Sequence, residues 1–324
     1  MSTGLVALGT YAPAKVVTNH DLEQTLDTSD EWITTRTGIK ERRVGTNDEY
    51  TSLLAFRAVE NLIARYGAEV LDGVDQVIVA TNTPDALFPS TAALVQHRFG
   101  LSAGGYDLLA GCPGWIYALA QAYALVESGV AHKVLAIGAE ALTKITDWKD
   151  RSTAVLFGDG AGAGIVTKTS DQFGFRSFVL GVDGSGGCDL TMRGVAPALP
   201  DGTPLPEKIY MNGREVFKFA VRVMDTATHA ALEKAGLEAS DIKLFVPHQA
   251  NLRIIDSARE RLGLPWERVM VNVDRYGNTS TASIPLALME AEQTGRLAPG
   301  DPCLLVSFGA GLTWAASVLI WGGA

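Results

Sequence analysis

The chain has 324 residues, of which 47% are hydrophobic and 19% charged, with 34 glycines. That composition builds a buried core and excludes a disordered chain; the length suits two lobes of roughly 160 residues. The net charge of −9 is the wrong sign for a sequence-independent nucleic-acid binder, so none is expected as a partner.

No apolar run reaches spanning length, and Met1 to Lys15 lacks a basic-then-apolar leader pattern, so no membrane partner is expected. Three cysteines, Cys112, Cys188 and Cys303, with no C-x-x-C spacing, make no disulfide framework. A cytoplasmic protein with reduced thiols is expected.

In chain order, residues 4–10 read as a strand. Ser29 caps a short helix containing Glu31, Trp32 and Arg36. Residues 51–66 form an amphipathic helix with Leu53, Leu54, Ala58, Leu62 and Ile63 on one side. A strand at 74–81, a helix at 91–99 and a buried strand at 106–109 follow. A helix over 113–128 has proline at its start and Gly129 past its end. A strand at 133–138 and a glycine-rich turn at 158–164 lead into a strand at 164–167.

The second half offers strands at 176–182, 242–246, 270–273, 303–307 and 313–320, and helices at 215–235, 251–262 and 281–293, with a Gly- and Pro-rich loop over 183–209. The spacing from Asn82 to His248 equals that from Cys112 to Asn278, and each of the four follows an expected strand. Two related α/β halves, 1–170 and 171–324, in a five-layered arrangement with mainly parallel sheets are therefore expected. Chemistry in such sheets gathers beyond strand ends, where Cys112, His248 and Asn278 all stand.

Cys112 lies in Ala110-Gly111-Cys112-Pro113-Gly114-Trp115, at the start of a helix whose N–H groups and dipole favour a thiolate. Gly111 and Gly114 leave room for a substrate. Alone, the segment fits a nucleophile and a buried structural thiol equally. Cys303 sits in an apolar run and reads as core; Cys188 lies in a loop. His248, on a stiff corner between Pro247 and Asn251, suits polarising a carbonyl or exchanging a proton, although a lone histidine is more often structural. Asn278, in Gly277-Asn278-Thr279-Ser280, reads by default as a turn and cap. Ser307 to Leu312 reads as a hairpin turn, or as the place where the Gly309 N–H completes an oxyanion hole with that of Cys112.

Gly158-Asp159-Gly160-Ala161-Gly162-Ala163 fits G-x-G-x-x-A but runs into a strand, so it is no dinucleotide fingerprint. No residue cluster has metal-ligand spacing, and no metal or cofactor is expected.

Several strings together resemble β-ketoacyl-acyl-carrier-protein synthase III, of the thiolase-like condensing enzymes. They are Asp27 to Ile33, Arg36-Thr37-Gly38-Ile39, Phe157 to Ala163, Val246 to Asn251, Gly277 to Ser280 and Phe308 to Trp314. The resemblance spans Gly9 to Trp314 and is strongest to the bacterial fatty-acid-initiating enzymes. It implies the thiolase fold, a homodimer, and acyl-CoA and malonyl-acyl-carrier protein as substrates. It makes Cys112 the acyl-carrying nucleophile and His248 and Asn278 the donors to the malonyl thioester oxygen.

The resemblance also implies that Trp32 and Arg151 sandwich the adenine of CoA. Arg36 then reaches the phosphates, Asn251 the pantetheine, and Thr28 belongs to the same site. Arg214, Lys218 and Arg222 form one helical stripe which, with Arg253, is the expected docking surface for acidic carrier protein. Phe88 resembles the residue that reaches the partner's acyl site. Trp115 departs from the Ala-Gly-Phe usual after the nucleophile and is expected to reshape the acyl pocket. Two rivals remain: a secondary-metabolite enzyme of the same fold, and a papain-type Cys-His-Asn hydrolase, in which asparagine orients histidine.

Overall fold

A computed structural model describes residues 1–322. The first half supplies β1 (Ser2–Tyr11), α1 (Asp30–Thr37), α2 (Thr51–Tyr66), β2 (Gln76–Ala80), α3 (Thr91–Arg98), β3 (Gly104–Leu108), α4 (Gly114–Ser128), β4 (Lys133–Glu140) and β5 (Gly160–Thr169). The second supplies β6 (Gly174–Val182), α5 (Gly213–Ala235), β7 (Leu244–Pro247), α6 (Leu252–Leu262), α7 (Ser283–Gln293), β8 (Pro302–Gly309) and β9 (Thr313–Ile320). The caps are local. Ser29 accepts from the Trp32 N–H to start α1, and Gly129 closes α4 in the left-handed conformation.

The first sheet has the order β1-β5-β4-β2-β3 and the second β7-β8-β9-β6. The sheets are mixed, not mainly parallel. Only β2 with β3, β2 with β4, and β7 with β8 run parallel, where helices make the crossovers. The remaining pairs are antiparallel. Read from β1, the first sheet repeats as β6-β9-β8-β7, so the two halves share one topology.

Helices α4 and α7 lie between the sheets, α2 and α3 cover the outer face of the first, and α5 and α6 that of the second. This is the five-layered thiolase-like arrangement. Three buried apolar clusters fill it, and the middle one joins α4 and α7 to strands of both sheets.

Three local expectations are overturned by long-range packing. The glycine-rich segment is not a turn; β5 already begins at Gly160. A Cβ on Gly162 would lie 2.2 Å from Pro285 Cβ, and one on Gly164 would lie 2.5 Å from Leu5 Cδ1. The glycines therefore let α7 and β1 press onto the strand. The strand at 106–109 is not buried: β3 ends the sheet, and Tyr106 is 39% and Leu109 77% exposed.

The strand at 270–273 is reduced to a single parallel bridge between Phe245 and Val269. The Gln249 carboxamide takes its ladder bonds, accepting from the N–H groups of Asn272 (2.9 Å) and Val273 (3.1 Å) and donating to the Met270 carbonyl (3.1 Å). Within 183–209, Leu190–Thr191 forms a short ribbon with Tyr210–Met211.

Candidate active site

The chain leaves β3 and turns through Gly111, at φ +66°, into Cys112 and Pro113, the cap of α4. A Cβ on Gly111 would meet the Ala310 carbonyl oxygen at 2.5 Å, and one on Gly114 would meet Thr281 Cγ2 at 3.0 Å. These glycines make room for protein neighbours rather than for a substrate. Cys112 is partly exposed. The Ser280 side chain and the backbone of Cys112 and Ala310 act to lower the pKa of its thiol.

Burial nevertheless pushes the thiol from its ordinary 9.0 up to about 12. Three pK units amount to about 4 kcal/mol, whereas a helix terminus contributes at most ~2 kcal/mol. Desolvation thus opposes the helix start, which favours the thiolate. Gly309 also shifts in role. A Cβ there would lie 2.4 Å from the Cys112 nitrogen, so Gly309 packs against the nucleophile's backbone. The backbone that acts to lower the thiol's pKa from this segment is that of the next residue, Ala310.

His248 follows the end of β7, and its N–H donates to Val306 at 2.8 Å. The side chain is 1% exposed, with the ring edge-on to Phe308 at 5.5 Å. Nδ1 lies 2.6 Å from the Ser283 hydroxyl. Nε2 is buried and, among the described residues, has no hydrogen-bond partner. Burial lowers the imidazole to about 3, so it is neutral at physiological pH. The Asn278 Oδ1 accepts from the Ser280 N–H at 2.9 Å, which turns Nδ2 outward as a donor.

Two segments join the three residues. Asn278 to Ser283 contributes the amide, the Ser283 contact to His248, and Ser280, which acts to lower the Cys112 thiol's pKa. Phe308 to Ala310 touches the imidazole at one end and Cys112 at the other.

Away from this centre, the Arg36 and Arg151 guanidinium carbons each lie 4.8 Å from the centroid of the Trp32 ring. Arg151 also donates to the Asp27 carbonyl at 2.7 Å. The Thr28 hydroxyl is buried with no hydrogen-bond partner among the described residues. Asn251 is occupied: Oδ1 caps α6 through the Arg253 N–H (2.9 Å) and Nδ2 donates to the Arg36 carbonyl (3.1 Å), tying α6 to α1.

Arg214, Lys218, Arg222 and Arg253 are all exposed. Lys218 is paired with Glu215 at 2.7 Å, and Arg253 lies over Phe217 at 5.4 Å. Phe88 is 85% exposed and points away from the interior of its own chain. Trp115 corrects the pocket expectation. It is 1% exposed, its Nε1 donates to the Ala136 carbonyl at 3.4 Å, and it packs in the middle cluster. Its bulk fills core between α4 and the first sheet.

Sequence reasoning missed Ser283, Ala310 and Glu140 as parts of this site. Glu140, at the end of β4, is fully buried and accepts from Asn82, Thr83 and Ser280. A lone carboxylate in an apolar run was the available signal. Ser280 stood inside a motif but read only as a turn.

A duplicated α/β fold that gathers a cysteine at a helix start with two neutral donors from the other half defines a condensing enzyme of the thiolase-like class. Models of the 3-oxoacyl-[acyl-carrier-protein] synthase III family match residues 106–184 and, for the C-terminal part, 232–321. The chain is 50% identical over 319 residues to β-ketoacyl-[acyl-carrier-protein] synthase III 2 of Deinococcus radiodurans, covering 98% of this chain and 94% of that one. It is 51% identical to the synthase III of Symbiobacterium thermophilum, with 98% of both chains covered.

Among solved structures, the Thermus thermophilus synthase III superposes with a TM-score of 0.98 at 73% identity, covering 99% of this chain and 100% of that one. A priming β-ketosynthase of the R1128 polyketide pathway superposes at 0.90 with 37% identity, covering 99% and 96%. The chain belongs to the 3-oxoacyl-[acyl-carrier-protein] synthase III family of acyltransferases. The papain-type reading falls with this. Here Asn278 is bonded to Ser280 and the imidazole is held by Ser283, so the asparagine does not orient the histidine.

Proposed function

We propose that this protein condenses an acyl-CoA primer, acetyl-CoA first among candidates, with malonyl-acyl-carrier protein. The products are a 3-oxoacyl-carrier protein, CO2 and CoA, and the reaction initiates fatty acid synthesis. The observation that carries this reading is the buried His248 Nε2, unpartnered among the described residues, held by Ser283 from the same Asn278–Ser283 segment whose Asn278 amide oxygen is already engaged. Two uncharged donors suit an enolate oxygen, because they bind developing charge without having to lose a proton.

In the first half-reaction Cys112 adds to the acyl-CoA thioester. The acyl group stays on sulfur and CoA leaves as the thiol. The N–H groups of Cys112 and Ala310 hold the transient oxyanion. In the second, His248 and Asn278 bind the malonyl thioester oxygen, CO2 departs, and the enolate carbon attacks the acyl carbonyl on Cys112. Trp32, Arg151, Arg36 and Thr28 receive the nucleotide end of CoA, and Asn251 frames the channel by linking α1 to α6. Arg253, with Arg214 and Arg222, docks the acidic carrier protein.

The active form is a homodimer in the cytoplasm. β3 has a free edge, and Leu87, Phe88 and Leu109 are exposed, features that a second copy covers by edge pairing. Through it Phe88 reaches the partner's acyl site. All three cysteines are free thiols, as a reducing compartment requires.

Intact mass spectrometry after incubation with a panel of acyl-CoAs tests the reading. An adduct on Cys112, discharged to 3-oxoacyl product only when malonyl-carrier protein is added, is expected. Adduct loss by hydrolysis alone would refute it. Loading by primers other than acetyl would point to the polyketide-type branch.

A further inference from the structure

His248 and Asn278 serve one substrate oxygen in the second half-reaction, yet they stand 30 positions apart in the chain. Gln249 follows His248, takes no part in either half-reaction and is 1% exposed. Its carboxamide is fully used. Nε2 donates to the carbonyls of Pro247 (2.8 Å) and Met270 (3.1 Å), and Oε1 accepts from the N–H groups of Asn272 (2.9 Å) and Val273 (3.1 Å). Two donor hydrogens and two acceptor lone pairs are all that a carboxamide has. Carbonyls at one end and N–H groups at the other also fix which way round it lies.

These bonds join two stretches of backbone. One is the end of β7, where Pro247 directly precedes His248. The other leads to Asn278. The Met270 N–H donates to the Phe245 carbonyl at 2.8 Å, and beyond that point Gln249 replaces the strand pairing. Val273–Tyr276 is a single helical turn whose cap residue, Asn272, makes no side-chain cap bond among the described residues. Gln249 Oε1 satisfies the N–H groups at its start instead. The turn closes where the Gly277 N–H donates to the Val273 carbonyl at 3.0 Å; Gly277 takes φ +65°, and Asn278 follows.

We propose that Gln249 is a positioning residue that sets the two enolate donors against each other, His248 beside it in sequence and Asn278 at the far end of the turn it caps. The inference rests on the condensing function proposed above and names a side chain on which its second half-reaction depends. Gln249 touches no substrate and acts through the backbone on either side. Ser283 engages the imidazole and the Ser280 N–H the Asn278 amide, whereas Gln249 decides where the chain carrying them stands.

The Asn278 backbone has a second hold from the first half, donating to Leu156 at 2.8 Å and accepting from Gly158 at 2.9 Å. With that hold in place, loss of Gln249 shifts the donors relative to each other without unseating Asn278. The four Gln249 bonds all lie within the second half, while Cys112 stands at the start of α4 in the first. Acyl loading is therefore independent of Gln249.

The test compares the wild type with Q249M and Q249E. Methionine keeps the length and leaves two N–H groups and two carbonyls without their partner; a carboxylate keeps the acceptor and cannot donate. Single-turnover acetyl loading of Cys112 is read by intact mass. CO2 release from malonyl-carrier protein is measured at saturating acetyl-CoA and expressed per loadable Cys112, so that any unfolded fraction drops out. Loading rates should stay within about twofold, while CO2 release falls roughly 10- to 100-fold in both variants. The fall should be in kcat rather than in KM for malonyl-carrier protein, because the donors bind charge that develops in the transition state.

CO2 release within about twofold of wild type in Q249M would overturn the proposal. So would loading that falls in step with CO2 release, which marks a merely structural role. Q249E decides the matter if Q249M yields no loadable protein; if neither variant contains loadable Cys112, the residue serves folding and the proposal fails. A wild type that loads Cys112 but releases no CO2 would overturn the condensing function itself. A wild type that does both, matched by its variants, would overturn this inference alone.

Discussion

The Ser283 hydroxyl lies 2.6 Å from Nδ1 of His248, and this contact fixes what the imidazole offers a substrate. When Ser283 donates to Nδ1, the single proton of the neutral ring sits on the buried Nε2 and faces the reacting thioester. Ser283→Ala leaves Nδ1 buried and unpaired, at a cost of about 1–3 kcal/mol. Condensation is expected to fall roughly 10- to 100-fold while acetyl loading of Cys112 is unchanged. Steady-state turnover and single-turnover loading, compared side by side, check this.

Because burial holds His248 at about 3, the imidazole stays neutral across the working range. The rate of CO2 release from malonyl-carrier protein should therefore show no histidine titration between pH 5 and 8. A sigmoid centred near 6.5 would contradict it.

Glu140 has the opposite consequence for stability. Its folded value is raised from 4.5 to about 7 by burial. The stability it contributes is complete below pH 4.5 and lost as pH rises through 7. Two and a half units correspond to about 3 kcal/mol. Urea unfolding at pH 4.5 and 7.5 should show the wild type losing that amount relative to E140Q.

The Arg36 and Arg151 guanidinium groups lie at equal distance from the Trp32 ring. Trp32→Ala removes a stacking surface for the adenine, worth ~1–3 kcal/mol per base, so the KM for acetyl-CoA should rise about tenfold with little change in kcat. Initial rates over a range of acetyl-CoA concentrations give the split.

Arg253 and Lys218 are not equivalent as docking cations, since Lys218 is already paired with Glu215. Arg253→Glu should weaken the use of malonyl-carrier protein about tenfold, and more at low salt. Lys218→Glu should do less, and neither should alter acetyl loading. Unchanged use of carrier protein by both variants would exclude this surface.

The sequence by itself determined what is local. Helix α2 falls on the expected residues because amphipathic spacing is written in the segment it describes. Ser29, Gly129 and Asn251 cap their helices through neighbours a few residues away. The motif strings named Cys112, His248 and Asn278, and the equal spacing of the halves pointed to the repeat.

Only the tertiary structure decided the rest. Whether a glycine is a turn or a packing face depends on Pro285, far along the chain. Whether Trp115 lines a pocket or fills core depends on the first sheet. Ala310 in place of Gly309, and desolvation of the Cys112 thiol against the helix start, follow from how β8 and α4 meet. Hydrogen bonds and desolvation act through space, and pattern along a chain does not encode which distant group arrives to supply them.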